Sequence, residues 1–516
     1  MVKLSALARG AALAVATVLF AGTVTACSTE GATSPEATGS RGDVLTIAVR
    51  QPESLNPALV DKMNVLPRLA YQSLLGVDDD GGYVGVLAES FAWEGDTFTS
   101  LKIDLKTGLT FSDGDALNAD AVVKSFTYFQ SAKGPTSALY SDVSVEKVDD
   151  MSVRFISKTP NPDLEFLLTD VDYGGTVISP TGVDHPDSLE TESHGIGPYV
   201  YGDVKTGVTY TLKANPDFYD QSAIHFKSID FPVLATEAAQ TQAIMGAQAD
   251  MTFSTVSASW ADTVAANPDL SITVAGPAWN GLELLDTQGK VVPALADQRV
   301  RQAIMYAVDR KAITAAVYGP DAQARVQAAN STWLGFDKGL ESTYPYDPDR
   351  ARQLLDEAGY SDIVIPVAIT AGDVGETLLQ AMSGYLEKVG ITLDIKTATD
   401  VGAVIGLVYS GTVAGMALPN AQRSVYQFLS DFFLPDSGLN PMKQEHPELQ
   451  ALLDTALHSN SQADWAAIIR YLNDQALTIP ISNAPDIWIS RSTVDLSRAY
   501  NAKAGVFDLT KVTAAR

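Results

Sequence analysis

The segment from Leu105 to Phe129 constrains the fold most strongly, because signals for a strand, a tight turn and a helix follow one another in it. Its turn is Ser112-Asp113-Gly114-Asp115, where Asp can hydrogen-bond its own backbone and Gly tolerates a positive φ. Asn118 stands where a helix N-cap is expected, and Asp120 lies near the positive end of the helix dipole. Apolar side chains then recur at helical spacing, at Val122, Phe126 and Phe129. The segment therefore predicts a strand, a turn and an amphipathic helix, and nothing in it indicates catalysis.

The length and charge of the chain limit its possible functions. A chain of 516 residues exceeds one ordinary core, which predicts about three domains or lobes. The formal net charge is −27. In a chain starting at Cys27 the only charged residues lost are Lys3 and Arg9, and the net charge would be −29. Such a surface repels nucleic acids and anionic lipid headgroups, so neither is expected as a partner. The average surface charge does not identify a ligand, because a pocket can differ from it.

The first 26 residues have the pattern of a secretory signal peptide. Lys3 and Arg9 form a positive start, and residues 11–24 form an apolar stretch that is too short for a transmembrane helix. The sequence Val24-Thr25-Ala26-Cys27 resembles a bacterial lipobox, in which the cysteine becomes diacylated; the alternative is a plain signal peptide with an incidental cysteine. Residues 28–42 are rich in Ser, Thr, Gly and Pro and predict a flexible tether.

Several stretches predict further elements. Alternation over Val44–Val49 predicts a first strand, and the apolar run Leu69–Leu75 predicts a helix. Tyr346–Tyr360 predicts a helix that is capped by Asp347 and ended by Gly359. A strand, an amphipathic helix and a second strand are then predicted over Ile363–Thr370, Glu376–Val389 and Ile391–Thr397. This alternation is typical of an α/β lobe.

The order of motifs along the chain closely resembles that of the family 5 extracellular solute-binding proteins, the peptide/nickel-type receptors of ABC importers. The resemblance covers residues 44 to about 494. The motifs are FSDGDALNADAVVKSF (111–126), LAES (87–90), GIGPY (195–199), LKANPDFY (212–219), AIMGAQAD (243–250), DQRVRQAIMYAVDRKAI (297–313) and YDPDRARQLLDEAGY (346–360). Ile196 departs from the family pattern, which has a hydroxyl residue there. Arg299 and Arg301 belong to the signature and are expected in structural ion pairs.

The resemblance implies an α/β fold of two lobes, joined by two crossing segments, with a ligand cleft between the lobes and an extra subdomain inserted in lobe I. The implied division is a signal peptide (1–26), a lipidated cysteine and tether (27–42), lobe I (43–80 and 171–278), its inserted subdomain (81–170), lobe II (279–484) and a return segment to lobe I (485–516).

The resemblance and the residue types together suggest candidates for ligand binding. The family places the loop that contains Asn56 at the cleft, although the loop can equally be a strand-ending turn. Trp279 and Asn280 combine an aromatic platform with an amide, which suits a small polar ligand, and the alternative for Trp279 is a core position.

Arg423 lies where many peptide-binding relatives carry an acidic residue that holds the α-amino group of the ligand. This departure favours an anionic or polyhydroxylated ligand over a zwitterionic peptide, because a guanidinium pairs well with carboxylate or phosphate. A solvated loop position for Arg423 is the alternative. Tyr426 and Gln427 are secondary candidates.

Enzyme signatures are weak in this sequence. The five histidines are scattered, and there is no His-Glu-x-x-His, Gly-x-Ser-x-Gly or Walker motif. The single cysteine excludes an intrachain disulfide and cysteine-based zinc sites. No catalytic residue, metal or cofactor is predicted, although a Ser-His-Asp triad need not be local in sequence.

Three hypotheses of function remain from the sequence: a transport receptor for oligopeptides or another small polar solute, a sensor that presents its ligand to a signalling receptor, and a secreted hydrolase. The first follows from the resemblance. It implies a monomer, lipid-anchored at the extracytoplasmic face of a bacterial membrane, whose partners are its ligand and the membrane subunits of an ABC permease.

Overall fold

The computed structural model describes residues 43–515, except for gaps at 51–53, 61–63, 135–136, 172, 256–257, 277, 320–321, 373, 400, 418, 420–423, 436, 484–485 and 502–505. The signal peptide, Cys27, the tether and Arg423 therefore lie outside the described residues, and their predictions stay predictions.

The described chain alternates between strands and helices. The strands are β1 (Val44–Ala48), β2 (Leu75–Val77), β3 (Tyr83–Gly85), β4 (Ala88–Trp93), β5 (Ser100–Leu105), β6 (Val143–Asp149), β7 (Ser152–Ser157), β8 (Tyr199–Lys205), β9 (Thr209–Ala214), β10 (Ser228–Pro232), β11 (Met251–Thr255), β12 (Leu270–Gly276), β13 (Trp279–Leu284), β14 (Gln323–Ala324), β15 (Ile363–Thr370), β16 (Ile391–Ala398), β17 (Gly415–Met416), β18 (Thr478–Asn483), β19 (Asp486–Arg491), β20 (Val494–Asp495), β21 (Tyr500–Asn501), β22 (Val506–Phe507) and β23 (Thr513–Ala514). The helices are α1 (Pro67–Ala70), α2 (Ala119–Ala132), α3 (Leu164–Leu167), α4 (Pro180–Asp184), α5 (Glu237–Met245), α6 (Ala258–Ala265), α7 (Gln298–Ala307), α8 (Arg310–Tyr318), α9 (Pro348–Ala358), α10 (Val374–Leu386), α11 (Val401–Tyr409), α12 (Val425–Phe432), α13 (Pro447–Ser459) and α14 (Gln462–Asp474). Among the described helices, none is both long enough and apolar enough to cross a membrane.

Two large mixed sheets organise the structure. The first has the strand order β12-β19-β11-β1-β10-β9-β8, with β1 parallel to both β10 and β11. The second has the order β14-β18-β13-β17-β15-β16, with β15 parallel to β16 over eight residue pairs. We use lobe I for the part of the chain built on the first sheet and lobe II for the part built on the second.

Two strand pairs connect the lobes. The chain leaves lobe I through β12 and enters lobe II through β13, and it returns through β18 and β19. The outgoing and returning strands pair with each other on both sides of the crossing, because β12 pairs with β19 and β13 pairs with β18. The two ladders thus flank the crossing, one on the lobe I side and one on the lobe II side.

A four-stranded antiparallel sheet, β4-β5-β7-β6, forms the subdomain that contains the 105–129 segment. The predicted strand, turn and helix are all confirmed: β5 ends at Leu105, Gly114 takes φ +94°, and the Asn118 side chain accepts a hydrogen bond from the Ala121 amide at 2.9 Å. Val122, Phe126 and Phe129 are buried on α2. Their burial holds the helix against the sheet, which gives the motif a folding role.

The predicted helix over Leu69–Leu75 is wrong beyond its first residues. Helix α1 ends at Ala70, and Leu75 begins β2. The backbone amides of Leu74 and Leu75 donate to the carbonyls of Gly175 and Leu168, both about one hundred residues away in the chain. Long-range backbone pairing therefore overrides the local helix pattern of this apolar run.

The two signature stretches of lobe II, residues 297–313 and 346–360, form helices that begin at aspartate caps. Asp297, Asp309 and Asp347 each accept a hydrogen bond from a backbone amide in the first turn of α7, α8 and α9. Arg299 forms the predicted ion pair, with Asp297 at 2.6 Å. Arg301 does not: its buried guanidinium donates to the carbonyls of Gln475 and Leu295, and no carboxylate among the described residues lies within ion-pair distance of it.

Candidate functional site

The candidate site is the edge of the first sheet where the lobes cross. Strands β1, β10 and β11 run parallel, so their carboxyl ends meet at one edge. The crossing occurs at this edge, since Thr255 at the end of β11 and Gly276 at the end of β12 both pair with Asp486 at the start of β19. Ligands of open α/β sheets bind outside the carboxyl ends of the parallel strands, which makes this edge the natural place for a cleft.

Asn56 lies in the loop that follows β1, and its side chain is 2% exposed. Its Oδ1 accepts a hydrogen bond from the Ala58 amide at 3.0 Å, and its Nδ2 donates to the Tyr128 hydroxyl at 2.7 Å. The side chain thus caps a short 3-10 turn and ties the loop to α2. This geometry matches the alternative of a strand-ending turn, and a role in binding stays a prediction.

Trp279 is the first residue of lobe II after the crossing, and it is fully buried. Its ring packs against the Phe428 ring of α12, with 6.1 Å between the centroids. The side chain belongs to an apolar cluster that includes Trp333 and Phe433. Trp279 therefore occupies the core position that the sequence left as an alternative, although its Nε1 has no hydrogen-bond partner among the described residues.

Asn280 differs from its neighbour because successive strand residues point to opposite faces. It is 2% exposed, and its Nδ2 has no partner in the described part of the chain. The ladder between β13 and β18 is irregular between Asn280 and Gly281, and such bulges are common next to functional sites. A buried amide without a partner costs about 1–3 kcal/mol, so a ligand acceptor at this point would recover free energy.

Tyr426 lies in the first turn of α12, beside the four-stranded subdomain of lobe I. Burial raises the pKa of its hydroxyl, and the Asp163 carboxylate raises it further. Ser424, which caps α12, donates its hydroxyl hydrogen bond to Asp163 Oδ2. Helix α12 of lobe II is thus tied directly to the segment that precedes α3. The neighbouring candidate Arg423 lies outside the described residues, and Gln427 follows Tyr426 on α12.

Sequence reasoning missed Asp163 at this site and Gln240 elsewhere in the structure. Asp163 carries no motif, and its partner Ser424 is 261 residues away in the chain. Gln240 on α5 is fully buried, and neither polar atom of its side-chain amide has a hydrogen-bond partner among the described residues. The available signal for Gln240 was a polar residue on the same helix face as the buried Ala243 and Ile244.

In lobe I a serine, a histidine and an aspartate are connected by hydrogen bonds in the same order as in the catalytic triad of a serine hydrolase. Ser188 Oγ lies 2.8 Å from His194 Nε2, and His194 Nδ1 lies 2.7 Å from Asp113 Oδ2. The Ser188 hydroxyl is also placed to donate to the His185 carbonyl at 2.7 Å, and Asp113 Oδ2 also accepts from Ser179. These further bonds tie α4, the turn at 112–115 and the loop before β8 together.

The family described as bacterial extracellular solute-binding proteins, family 5 (Middle), matches residues 82–444. A Brucella ovis protein named as an ABC transporter peptide-binding protein is 27% identical over 416 residues, which are 74% of each chain.

Two solved structures share the fold. The Helicobacter pylori periplasmic binding protein DppA, in complex with the peptide STSA, has a TM-score of 0.75 at 18% identity, covering 92% of this chain and 98% of that one. The A. tumefaciens R10 protein MoaA, in complex with mannopinic acid, has a TM-score of 0.73 at 20% identity, covering 92% and 100%.

The chain therefore belongs to the bacterial extracellular solute-binding proteins of family 5. It is a solute-binding protein of the ABC-importer type, with the two-lobed periplasmic-binding-protein fold. The family and the fold class that the sequence motifs predicted are both confirmed.

Proposed function

We propose that this protein is the receptor of an ABC importer, which binds an oligopeptide or another small polar solute between its lobes and hands it to the permease without chemical change. The observation that carries the proposal is the buried Nδ2 of Asn280, which has no partner among the described residues and is located where two strand pairs cross between the lobes.

Closure of the lobes supplies the binding mechanism. A ligand between the lobes shifts the equilibrium towards the closed form by as much as it prefers that form. In this form Asn280 donates to a ligand oxygen, Tyr426 borders the ligand, and Asn56 holds the loop after β1. The contact between Ser424 and Asp163 supports this mechanism, because it joins α12 of lobe II to lobe I.

The ligand class rests on Arg423 and on the relatives. The Brucella relative is named as a peptide-binding protein, and the DppA structure contains a bound peptide. Both support a peptide ligand. Arg423, in place of an acidic residue, favours a ligand with carboxylate or many hydroxyl groups, and the MoaA complex with mannopinic acid shows that the shared fold accommodates such a compound. The receptor needs no cofactor and no metal in this mechanism.

Attachment to the membrane completes the proposal. A diacylated Cys27 would hold the monomeric receptor at the extracytoplasmic face, and residues 28–42 would give it reach to the permease. Hydrolysis of ATP takes place on other subunits. A sensor that presents the same ligand to a signalling receptor uses the same cleft and differs only in its membrane partner.

Native mass spectrometry of the purified protein tests the proposal. We expect a co-purified small solute whose mass is unchanged after release, and its loss on denaturation. Deletion of the gene for this protein should then abolish uptake of that solute by cells, and so should deletion of the cognate permease. Continued uptake together with a lost signalling response would favour the sensor, and a protein without saturable binding of any small solute would overturn both.

A secreted hydrolase is the second candidate, because Ser188, His194 and Asp113 have the order of a catalytic triad. Hydrolysis of p-nitrophenyl acetate by the wild type and by Ser188→Ala separates the two functions. Equal background rates would eliminate the hydrolase, whereas turnover that depends on Ser188 would favour it over the receptor.

A further inference from the structure

A second cavity lies within lobe II, beside the edge strand β14. Its volume is about 760 Å³, and it is bordered by the start of α8, by β14 and by parts of residues 330–346. This size is within the range of small-molecule sites, which are about 300–1,000 Å³. None of Asn56, Trp279, Asn280 and Tyr426 lines it, and Asn483, the β18 residue that pairs with Trp279, marks its border towards the crossing.

The lining of this cavity is positively charged in a chain whose net charge is −27. Four cationic side chains border it, and they are Arg310, Lys311, Arg325 and Lys338. Burial lowers the pKa of Arg310 to about 10, so its guanidinium stays charged at neutral pH. Its hydrogen bonds go to the backbone carbonyls of Pro480 and Met305, which leave its charge unneutralised.

The two acidic side chains of the lining are already engaged. Asp309 accepts a hydrogen bond from the Ala312 amide at 3.0 Å and caps α8. Glu341 accepts from the Val326 amide and from Gln327, and its nearest oxygen is 3.9 Å from Arg325 Nη1. No carboxylate among the described residues lies within 4.0 Å of the ammonium group of Lys311 or Lys338. An excess of positive charge therefore remains at the cavity.

Two buried donors in the lining have no hydrogen-bond partner among the described residues. Arg325 is 6% exposed, and its Nε makes no hydrogen bond within the described structure. Its guanidinium is held in place by the Ala329 carbonyl and by the Phe336 ring, whose centroid is 5.6 Å away. Asn330 is 2% exposed, and its Nδ2 is likewise without a partner. Each unpaired buried donor is costly, and an acceptor oxygen from a ligand would remove that cost.

We propose that this cavity of lobe II is a second ligand site, which binds a small organic anion through its carboxylate or phosphate oxygens. Arg325 and Asn330 donate to the anion, and Lys311 and Lys338 attract it at the entrance. The aromatic rings of Phe336, Tyr344 and Tyr346 form an apolar wall, and the cavity is much larger than a bare phosphate ion. A charged organic molecule with both an anionic and an apolar part fits these features.

Titration calorimetry at low ionic strength tests the site with two probes, citrate for carboxylate oxygens and inorganic phosphate for phosphate oxygens. The variant is the double substitution Lys311→Glu/Lys338→Glu, because both side chains are exposed and the fold does not depend on them. The matched control is Lys205→Glu/Lys213→Glu, two exposed lysines of lobe I that give the same change of net charge.

The wild type should bind at least one probe saturably. The lobe II variant should bind it at least about tenfold more weakly and the control within about twofold of wild type, because charge-assisted bonds dominate the site. Asn330→Ala should also weaken binding of the probe, whereas Asn280→Ala in the cleft should leave binding of the probe unchanged. Absence of saturable binding of both probes, an equal loss in the two charge-reversed variants, or a loss on Asn280→Ala would overturn the proposal. These outcomes are independent of the transport ligand, so they do not bear on the proposed receptor function.

Discussion

His194 Nδ1 lies 2.7 Å from Asp113 Oδ2, and this contact joins the turn of the 105–129 segment to the residue just before the GIGPY motif, 81 positions later in the chain. Around it, the Ser112 amide donates to the Gly195 carbonyl at 2.9 Å, and the Ser112 hydroxyl donates to the Ser193 carbonyl at 2.6 Å. The turn of the 105–129 segment is therefore fastened to the loop before β8. The motif that identifies the family therefore has a structural role, because it links two parts of lobe I by hydrogen bonds.

Replacing Asp113 with Ala should destabilise the protein without changing ligand affinity. His194 is 4% exposed, and it would lose its acceptor, as would the Ser179 hydroxyl. We expect the free energy of unfolding to fall by about 1–3 kcal/mol, measured by denaturant titration. Asp96→Ala, which removes an exposed carboxylate, is the control and should change stability by less than about 0.5 kcal/mol. If the loss of ligand affinity is larger than the loss of stability can account for, Asp113 has a role beyond folding.

Asn280→Ala should weaken ligand binding and leave the ligand-free protein as stable as wild type or slightly more stable. The substitution removes a buried donor that has no partner among the described residues, which relieves a cost of about 1–3 kcal/mol. The loss of the bond to the ligand should raise Kd about tenfold, measured by calorimetry. Asn473→Ala is the matched control: its Nδ2 donates to Thr343 at 2.9 Å, so stability should fall while affinity stays constant. If instead Asn280→Ala lowers stability and leaves Kd unchanged, Asn280 does not contact the ligand.

Asp163→Ala should speed the release of the ligand. The Asp163 carboxylate accepts the Ser424 hydroxyl across the two lobes, and a hydrogen bond to a charged group contributes about 1.5–3 kcal/mol. We expect a tenfold or larger rise in the dissociation rate by stopped-flow fluorescence, with a smaller change in the association rate. Ser424→Ala should have the same kinetic effect and also lower thermal stability, because Ser424 caps α12. The exposed Asp187→Ala serves as control, and an unchanged dissociation rate in Asp163→Ala would exclude the interlobe role.

Arg423→Ala should weaken ligand binding and leave thermal stability intact. A guanidinium that faces a carboxylate or phosphate of the ligand contributes through charge-assisted hydrogen bonds, so affinity should fall about tenfold or more in calorimetry. Arg350→Ala, an arginine on α9, is the control for the loss of one positive charge. If affinity is unchanged in Arg423→Ala, its side chain has no part in the site.

Cys27→Ser should release the protein from the membrane. Diacylation supplies two buried chains, which is the number needed for stable anchoring. We expect the wild type in the membrane fraction and the variant in the soluble extracytoplasmic fraction, with equal ligand affinity in both. Metabolic labelling with a radioactive fatty acid should mark the wild type alone. A variant that stays in the membrane fraction would contradict the lipid anchor.

The sequence predicted those parts of the fold whose signals are local. Asn118 and Asp347 each cap the helix that their position predicts, because a cap depends on a few neighbouring residues. The strand Ile363–Thr370 also follows its alternating pattern. The helix predicted over Leu69–Leu75 was wrong, because the backbone of this segment pairs with residues about one hundred positions later.

The candidate site was less accessible from sequence. Trp279 was proposed for ligand contact and lies in the core, because a tryptophan pattern does not show which face of a strand it occupies. Asp163 and Ser424 went unnoticed, since neither belongs to a motif and only folding brings them together. The unpaired donors of Gln240 and Arg325 are visible only when all partners in space are known.

The paired crossing strands make the affinity of this receptor adjustable from a distance. Each lobe holds its half of the crossing in a hydrogen-bonded ladder, and two short links in the sequence join β12 to β13 and β18 to β19. Apparent affinity equals the intrinsic affinity multiplied by the population of the binding-competent form. Substitutions in these short links can therefore retune the concentration range of the receptor for the same solute, without touching a single ligand contact.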